Sequence, residues 1–403
     1  MGQPRRWTGP QATHHAEGAG GRALGTALFP GAIPMQLVIN TFGASLKRKG
    51  DRFVIRAGQN RLAVAAAKVQ SILITTAVYL SSDVVALATA NNIDIVFLDK
   101  FGDPIARVWP PRMGSTAAIR RRQFEAEAAP EGLAVAREWV AAKLRHQAEF
   151  LDELYRRRPG QAGVFEGPIA TIRASLAQID AVDGLLDEQR GRLLGLEGTA
   201  GRAYFACLGQ LVPEGYRFEG RSRQPARDGF SATLNYGYGV LYSMVDRACI
   251  CAGLDSHLGF LHTDNYNKPS LVFDMIEPFR ILAERAVVLL FTGRRVKPEF
   301  FEAVPGGVAL SKEGKAVFLP YYNERLDRPV KYPVQSKPGK YRKIKRRDTI
   351  AHEAHALANR LLGKTDMPRI VATRVLWEEA TDEPAAEPSD KLEDSASEPS
   401  EEP

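Results

Sequence analysis

The chain has 403 residues, of which 44% are hydrophobic, and this is enough material for a sizeable core and two domains. Its three cysteines, Cys207, Cys249 and Cys251, fit neither a disulfide framework nor a C-x-x-C metal or redox motif. We therefore expect a protein of the reducing cytoplasm. No apolar run approaches the roughly eighteen residues of a membrane span, so the sequence predicts no membrane partner.

The charge is unevenly distributed. The formal net charge is +7, but residues 378–403 hold eleven acids and one lysine, which leaves +17 on the remainder of the chain. A body that basic favours a polyanionic partner, and nucleic acid is the first candidate. A surface charge that only keeps the protein soluble is the alternative.

The first third of the chain predicts short strands. Residues 1–34 are rich in Gly, Ala, Pro and His without periodicity and are expected to form a flexible N-terminal extension. Ser81-Ser82-Asp83 offers an N-cap for one short helix. Residues 35–112 are therefore predicted to form a small β-rich domain. Its predicted strands are Gln36–Thr41, Ser45–Lys49, Arg52–Arg56, Ser71–Thr76, Ile93–Leu98 and Pro104–Trp109.

Residues 113–377 are predicted to form a larger, mainly α-helical domain. The clearest amphipathic segment is Ala134–Arg157. A Gly-punctuated segment, Gly306–Leu319, predicts a hairpin with Ser311–Lys315 as its loop. Residues 378–403 are acidic and rich in Pro and Ser, and are expected to be disordered. The fold class is thus α+β with disordered termini. Further helices are predicted at 168–188, 192–212, 230–253 and 270–293.

Three acids and one imidazole stand in apolar sequence, where polar groups need partners. Asp274 and Glu277 are three residues apart, so they share a helix face, and a divalent cation would relieve their repulsion. His262 follows the apolar Phe260-Leu261. On a 3.6-residue period Glu197 falls in the middle of a buried stripe. That stripe contains Leu193, Ala200, Tyr204 and Leu208.

These groups are a plausible ligand set for Mg²⁺ or Mn²⁺, because both ions prefer oxygen ligands and manganese tolerates an imidazole. Each signal has an ordinary alternative when it stands alone. His262 would then be a hydrogen-bonded core histidine. Asp274 would be an acid near a helix start that Ser270 caps.

A basic run, Lys337–Arg347, places seven cations in eleven residues. Contacts from such a segment to DNA phosphates would be independent of base sequence and sensitive to salt. We expect DNA contacts within it from Lys340, Arg342, Lys343, Lys345 and Arg346. Next to it, His352 and His355 are three residues apart, whereas the zinc-protease motif needs histidines four apart. A solvated helix face is the simpler interpretation there.

In this order and spacing, the segments resemble the CRISPR-associated integrase of the adaptation step, the Cas-one family, over about Met35 to Trp377. The chain departs from the family at Ser231, where an asparagine is usual. The matching motifs are Leu196-Glu197-Gly198 with Arg202, Tyr204 and Phe205; Asn235-Tyr236-Gly237-Tyr238; Gly259-Phe260-Leu261-His262; and Ser270–Asp274 with Glu277-Pro278-Phe279-Arg280.

The resemblance implies a metal-dependent DNA endonuclease and integrase, in which the 3′-hydroxyl of a foreign DNA fragment attacks a phosphodiester at the end of a CRISPR repeat. It implies a β-domain used in homodimerisation, a helical catalytic domain and a partner protein, Cas-two. Carried over by motif, Glu197, His262 and Glu277 are the metal ligands and Asp274 is a further catalytic residue. DNA contacts are expected from Arg202, Tyr238 and Arg280.

Two alternatives remain at this point. One is an endonuclease of branched DNA, or the integrase of a mobile element, on the same scaffold. The other is a non-catalytic DNA-binding scaffold whose buried acids only pair with arginines such as Arg202 and Arg280.

Overall fold

A computed structural model describes residues 35–99, 104–109, 117–223, 225–262, 268–333 and 341–364. The predicted N-terminal extension, the acidic tail and Lys340 lie outside these ranges. No helix in the described part of the chain combines the length and apolarity that crossing a membrane requires.

Residues 35–108 form two four-stranded sheets. The elements are β1 Met35–Ile39, β2 Ser45–Lys49, β3 Arg52–Ala57, β4 Asn60–Ala65, β5 Val69–Ile74, β6 Tyr79–Leu80, α1 Ser82–Ala90, β7 Asp94–Leu98 and β8 Pro104–Val108. The strand orders are β1-β5-β7-β8, with β8 the one antiparallel member, and β4-β3-β2-β6. The six predicted strands and α1 are confirmed to within about two residues. Strand β4 was not predicted. Val64 is its only buried residue, so its sequence lacks the alternation of apolar and polar residues that indicates a strand.

The rest of the described chain is mainly helical, which confirms the α+β class. The elements are α2 Ala117–Glu127, α3 Pro130–Arg156, α4 Ala162–Asp180, α5 Leu186–Leu211, α6 Gly229–Ala252, α7 Ser270–Met275, α8 Arg280–Thr292, β9 Phe301–Val304, β10 Gly307–Leu310, α9 Lys312–Asp327, β11 Pro329–Pro333, β12 Tyr341–Lys345 and α10 Asp348–Leu361. One hydrophobic cluster lies wholly in the strand region, and the larger one joins the helical region to Leu73, Val96 and Leu98 of β5 and β7. The domain division at 112/113 stays a prediction.

Helix α3 is the central helix of the core. It runs for 27 residues, and its buried positions lie around most of its circumference. A helix that is apolar on all sides belongs inside a protein. The Trp139 indole donates a hydrogen bond of 3.1 Å to Glu353 on α10, which ties α3 to the last described helix. Lys143 and His146 continue the stripe that begins at Trp139, so these two polar groups are carried into the interior.

The predicted helix 270–293 is interrupted at Pro278. It consists of α7, a 3-10 turn at Glu277–Phe279 and α8. Proline has no amide hydrogen and disrupts an α-helix, so the predicted single helix is divided at this residue. The turn leaves the carbonyl of Pro278 outside helical bonding, and Nδ1 of His146 donates to it at 2.9 Å. The break thus fixes Glu277 at a corner between two helices.

The predicted hairpin at Gly306–Leu319 is wrong in register. The hairpin lies earlier, with β9 antiparallel to β10 and its turn at 305–306. Gly306 has a φ of 78°, a conformation that glycine adopts readily. Ser311 is the N-cap of α9, where its hydroxyl accepts from the amide of Gly314 at 3.1 Å. The segment Ser311–Lys315 is therefore a capped helix start.

Candidate active site

Two acids from separate elements meet at one ammonium group. Glu197 on α5 and Glu277 on the 3-10 turn both form salt bridges with Nζ of Lys143 on α3. Nζ lies 2.6 Å from Oε2 of Glu277. Burial alone would lower the pKa of Lys143, but the carboxylates of Glu277 and Glu197 raise it above its usual value. Lys143 is therefore a cation at neutral pH, which makes this a charged cluster inside the helical core.

Glu277 is held from both sides. Its Oε1 accepts from Nε of Arg280 at 2.9 Å, and Oε2 faces Lys143. Burial would raise the pKa of Glu277, but the nearby Arg280 and Lys143 lower it to about 2. Glu277 is 2% exposed, so its negative charge is sustained by these two cations.

Asp274 organises the loop that carries His262. It is 1% exposed and accepts from the backbone amides of Phe260, Leu261 and His262, the last two at 2.9 Å. Its Oδ1 also lies 2.6 Å from Nδ1 of His262. With both oxygens engaged by amides, Asp274 positions the loop and the imidazole of His262, and its direct catalytic role stays a prediction.

The same hydrogen bond fixes the imidazole of His262. Nδ1 carries the hydrogen that it donates to Asp274, so Nε2 is the nitrogen that can bind a ligand. Burial would lower the pKa of His262, but the bond to Asp274 and the charges of Glu277 and Glu197 raise it above 6.5. The influence of both acids shows that His262 lies beside the cluster around Lys143.

Gly259 lets this loop approach α7. A Cβ at this position would lie 2.6 Å from Cβ of Ser270 and 2.8 Å from the carbonyl oxygen of His262. We expect Gly259→Ala to lower the free energy of unfolding by about 1–3 kcal/mol, because a methyl group cannot enter without moving the backbone. Denaturant unfolding measures this. Gly201→Ala on α5, where a Cβ meets nothing within 4 Å, is the matched control and should stabilise by about 0.5–1 kcal/mol. Equal effects at both sites would contradict the account.

His146 gives the protein a defined acid sensitivity. Burial lowers its pKa from 6.5 to about 4, against the opposing bond to Pro278. The unfolded chain therefore binds the proton first, and stability present above pH 6.5 is lost as the pH falls toward 4. The loss from this one group is on the order of 3 kcal/mol. We expect His146→Gln to flatten the fall in unfolding free energy between pH 6.5 and 4. The exposed His257→Gln should leave it unchanged, and an unaltered slope in His146→Gln would contradict the assignment.

Arg280 and Tyr238 are placed inside the protein. Arg280 is 9% exposed, donates to the hydroxyl of Tyr242 at 3.1 Å and lies 4.7 Å from the ring centre of Tyr238. Tyr238 is 1% exposed and its hydroxyl donates to Glu284 at 2.7 Å. The polar end of Tyr238 is thus engaged in the core, and its expected contact with DNA stays a prediction. The main contact of Arg280 is its salt bridge with Glu277.

Within the basic run, the cations at the start of β12 are exposed and those at its end are partly or fully buried. Arg342 and Lys343 are exposed and remain candidates for phosphate contacts. Lys345 pairs with Asp327 at the end of α9, with 3.3 Å between Nζ and Oδ2. Arg346 is 5% exposed, and its expected contact with DNA stays a prediction. The carboxylate of Asp327 draws this end of the run inward. Arg202 is exposed on α5, one turn beyond Glu197, and donates to Thr199 at 3.2 Å.

Sequence reasoning missed two important cations. Lys143 falls on the buried stripe of α3, four residues after Trp139, and a charged residue there was the available signal. Arg221 lies in a loop, with its guanidinium 4.6 Å from the ring centre of Tyr238, the ring that Arg280 also contacts. Arg221, Arg223 and Arg227 also line an open cavity of about 840 Å³. This cavity is a further candidate for a DNA strand.

The cluster around Lys143 has ligand groups for a divalent cation but is not a preformed metal site. Among the described residues, no group of three or more His, Cys, Asp or Glu side chains is already arranged to hold a metal ion, and an ammonium group lies between the two acids. The donor chemistry nevertheless suits Mg²⁺ or Mn²⁺. Oε2 of Glu277 is buried, and Nζ of Lys143 lies 2.6 Å from it. A divalent cation would have to take the place of this ammonium group.

The fold matches known structures. A casposase bound to integration product has a TM-score of 0.72 and 23% identity, and the match covers 83% of this chain and 92% of that one. A CAS1 protein from Thermotoga maritima has a TM-score of 0.67 and 21% identity, with 83% and 98% covered. The architecture is therefore that of CAS1 and casposase structures.

The sequence comparisons identify the family. The family model described as CRISPR associated protein Cas1 matches residues 37–324. A CRISPR-associated endonuclease Cas1 of Archaeoglobus fulgidus is 34% identical over 74% of this chain and 90% of its own length. One from Rhodospirillum rubrum is 31% identical, over 73% and 87%. The chain belongs to the Cas1 family, which confirms the resemblance seen in the motifs.

Proposed function

We propose that this protein is a metal-dependent DNA endonuclease and integrase that inserts short foreign DNA fragments into a CRISPR array. The observation that carries the proposal is the convergence of Glu197 and Glu277 on a single cation. The relatives named as endonucleases support the nuclease activity. The casposase bound to integration product, similar in fold, is consistent with strand joining.

Glu197, His262 and Glu277 would hold one Mg²⁺ or Mn²⁺ ion. When bound, the ion supplies charge stabilisation for the phosphodiester oxygens and for the attacking and leaving hydroxyls. Arg280 fixes Glu277, and Asp274 fixes the imidazole of His262. The 3′-hydroxyl of the fragment attacks a repeat-end phosphodiester, and because one phosphodiester replaces another, no nucleotide hydrolysis is needed. Positioning and electrostatics are sufficient.

We also propose its assembly and its DNA contacts. The protein would form a homodimer through residues 35–112 and work with a Cas2 partner. A chain of a Cas6-RT-Cas1 and Cas2 complex contains the same fold over 36% of its length, with a TM-score of 0.67. Double-stranded fragments and repeat DNA would contact the exposed Arg202, Arg342 and Lys343, together with the arginine-lined cavity.

The test is an integration assay with purified protein, with and without Cas2. A short duplex is incubated with a supercoiled plasmid that carries the repeat array, in Mg²⁺, Mn²⁺ or EDTA. We expect metal-dependent joined products that map to repeat boundaries. The absence of joined product in every cation would overturn the proposal. Cleavage of branched DNA alone would favour the repair-type endonuclease, and joining unrelated to repeats would favour a mobile-element integrase.

A further inference from the structure

Lys143 occupies the place where the two acids would share a metal ion. Its side chain is 10% exposed, and its ammonium contacts one oxygen of Glu197 and one of Glu277. These acids are 80 residues apart in the chain, and the lysine comes from a third element. A single positive charge thus holds the two carboxylates together in the metal-free protein.

The two cations of this cluster differ in how firmly they are held. Arg280 has a directional bond to Glu277, a bond to the hydroxyl of Tyr242 and the ring of Tyr238 against its guanidinium. Lys143 reaches the site on a flexible four-carbon chain and acts as a point charge. It donates a hydrogen bond to Glu197 and forms a salt bridge of 2.6 Å with Oε2 of Glu277, and no ring among the described residues packs against its ammonium. Of the two cations, Lys143 is therefore the one that a metal ion can displace.

The charges support such an exchange. Glu197, Asp274 and Glu277 carry three negative charges against the two positive charges of Lys143 and Arg280. The carboxylates of the site therefore outnumber its lysine and arginine. A lysine that stayed between the acids would block their access to a metal ion.

We propose that Lys143 is a resident cation that closes the metal site and competes with Mg²⁺ or Mn²⁺ for Glu197 and Glu277. This inference rests on the proposed metal-dependent function. It makes Lys143 a positioning residue that keeps two buried acids together until metal and DNA arrive. Removing the ammonium should therefore strengthen metal binding, whereas a merely supporting role predicts that binding weakens.

The test is a titration of the full chain with Mn²⁺ alone, in which electron paramagnetic resonance measures the unbound ion. We expect Lys143→Met to lower the dissociation constant of Mn²⁺ at least tenfold and to enlarge the rise in melting temperature that Mn²⁺ produces. Lys143→Gln, whose amide can still donate to the carboxylates, keeps the experiment decisive if the methionine variant does not fold. Its expected affinity lies between those of wild type and Lys143→Met.

Lys315→Met is the matched control, because Lys315 is also 9% exposed but lies over the ring of Tyr236, away from the two acids. It should bind Mn²⁺ like the wild type. Unchanged or weaker binding in both Lys143 variants would overturn the inference while leaving the proposed function intact. If Glu197→Gln binds Mn²⁺ as well as every other form, the metal site itself is wrong, and the inference fails with the proposed function.

Discussion

Glu197→Gln is expected to reduce strand joining by about a thousandfold or more and to leave DNA affinity within a factor of about two. The substitution keeps the shape of the side chain but removes one of the two acids that meet at Lys143. A ligated divalent ion supplies several kcal/mol of charge stabilisation in phosphoryl chemistry, and each 1.36 kcal/mol is a factor of ten in rate. DNA affinity depends on exposed cations elsewhere, so it should be nearly unchanged.

Integration kinetics and a duplex-binding titration at one fixed salt concentration measure the two quantities. Glu188→Gln is the control, since Glu188 lies on the same helix but is exposed. It should join DNA at the wild-type rate. A Glu197→Gln protein that joins strands as fast as this control would remove Glu197 from the reaction.

Asp274→Asn is expected to lower the free energy of unfolding by about 3 kcal/mol and also to impair strand joining. Three backbone amides and the imidazole of His262 all point to this carboxylate. Hydrogen bonds to a charged acceptor contribute about 1.5–3 kcal/mol each. An asparagine offers one acceptor oxygen and places an amide donor against other donors. The loop from Phe260 to His262 should therefore loosen and the imidazole lose its orientation.

Denaturant unfolding and integration kinetics of the same preparation test this pairing of effects. Asp183→Asn serves as control, because Asp183 is exposed in the turn before α5 and surface substitutions of this kind change stability little. A fully stable Asp274→Asn protein would show that the carboxylate does not organise the loop.

Much of the site could be predicted from sequence because its acids stand on periodic apolar stripes. The stripe on α5 placed Glu197 toward the core, and its predicted neighbours Leu193 and Tyr204 are indeed buried. The proline at 278 predicted the break that turns Glu277 into a corner residue. Such signals are local, since a helix or a kink is set by residues within one or two turns.

The pairing of charges could not be predicted, because it depends on contacts between distant segments. The apolar pattern of a helix can show that Tyr238 is buried. It cannot show that the hydroxyl of Tyr238 donates to Glu284, which lies 46 residues away in the chain. The basic run was predicted to form one exposed surface, yet Lys345 forms a salt bridge with Asp327 on α9. Lys143 meets Glu277 across 134 positions. The predicted hairpin register was wrong for a different reason. Ser311 can begin either a turn or a helix, and its hydrogen bond with the amide of Gly314 shows that it begins a helix.

The proposed reaction requires one ion that is held by Glu197, His262 and Glu277. Crystals soaked in Mn²⁺ and measured at the manganese absorption edge would locate it by anomalous scattering. We predict one peak within coordination distance of a carboxylate oxygen of each glutamate and of Nε2 of His262, with the ammonium of Lys143 moved from between the acids. A manganese peak bound elsewhere, with Lys143 still bridging Glu197 and Glu277, would contradict the account.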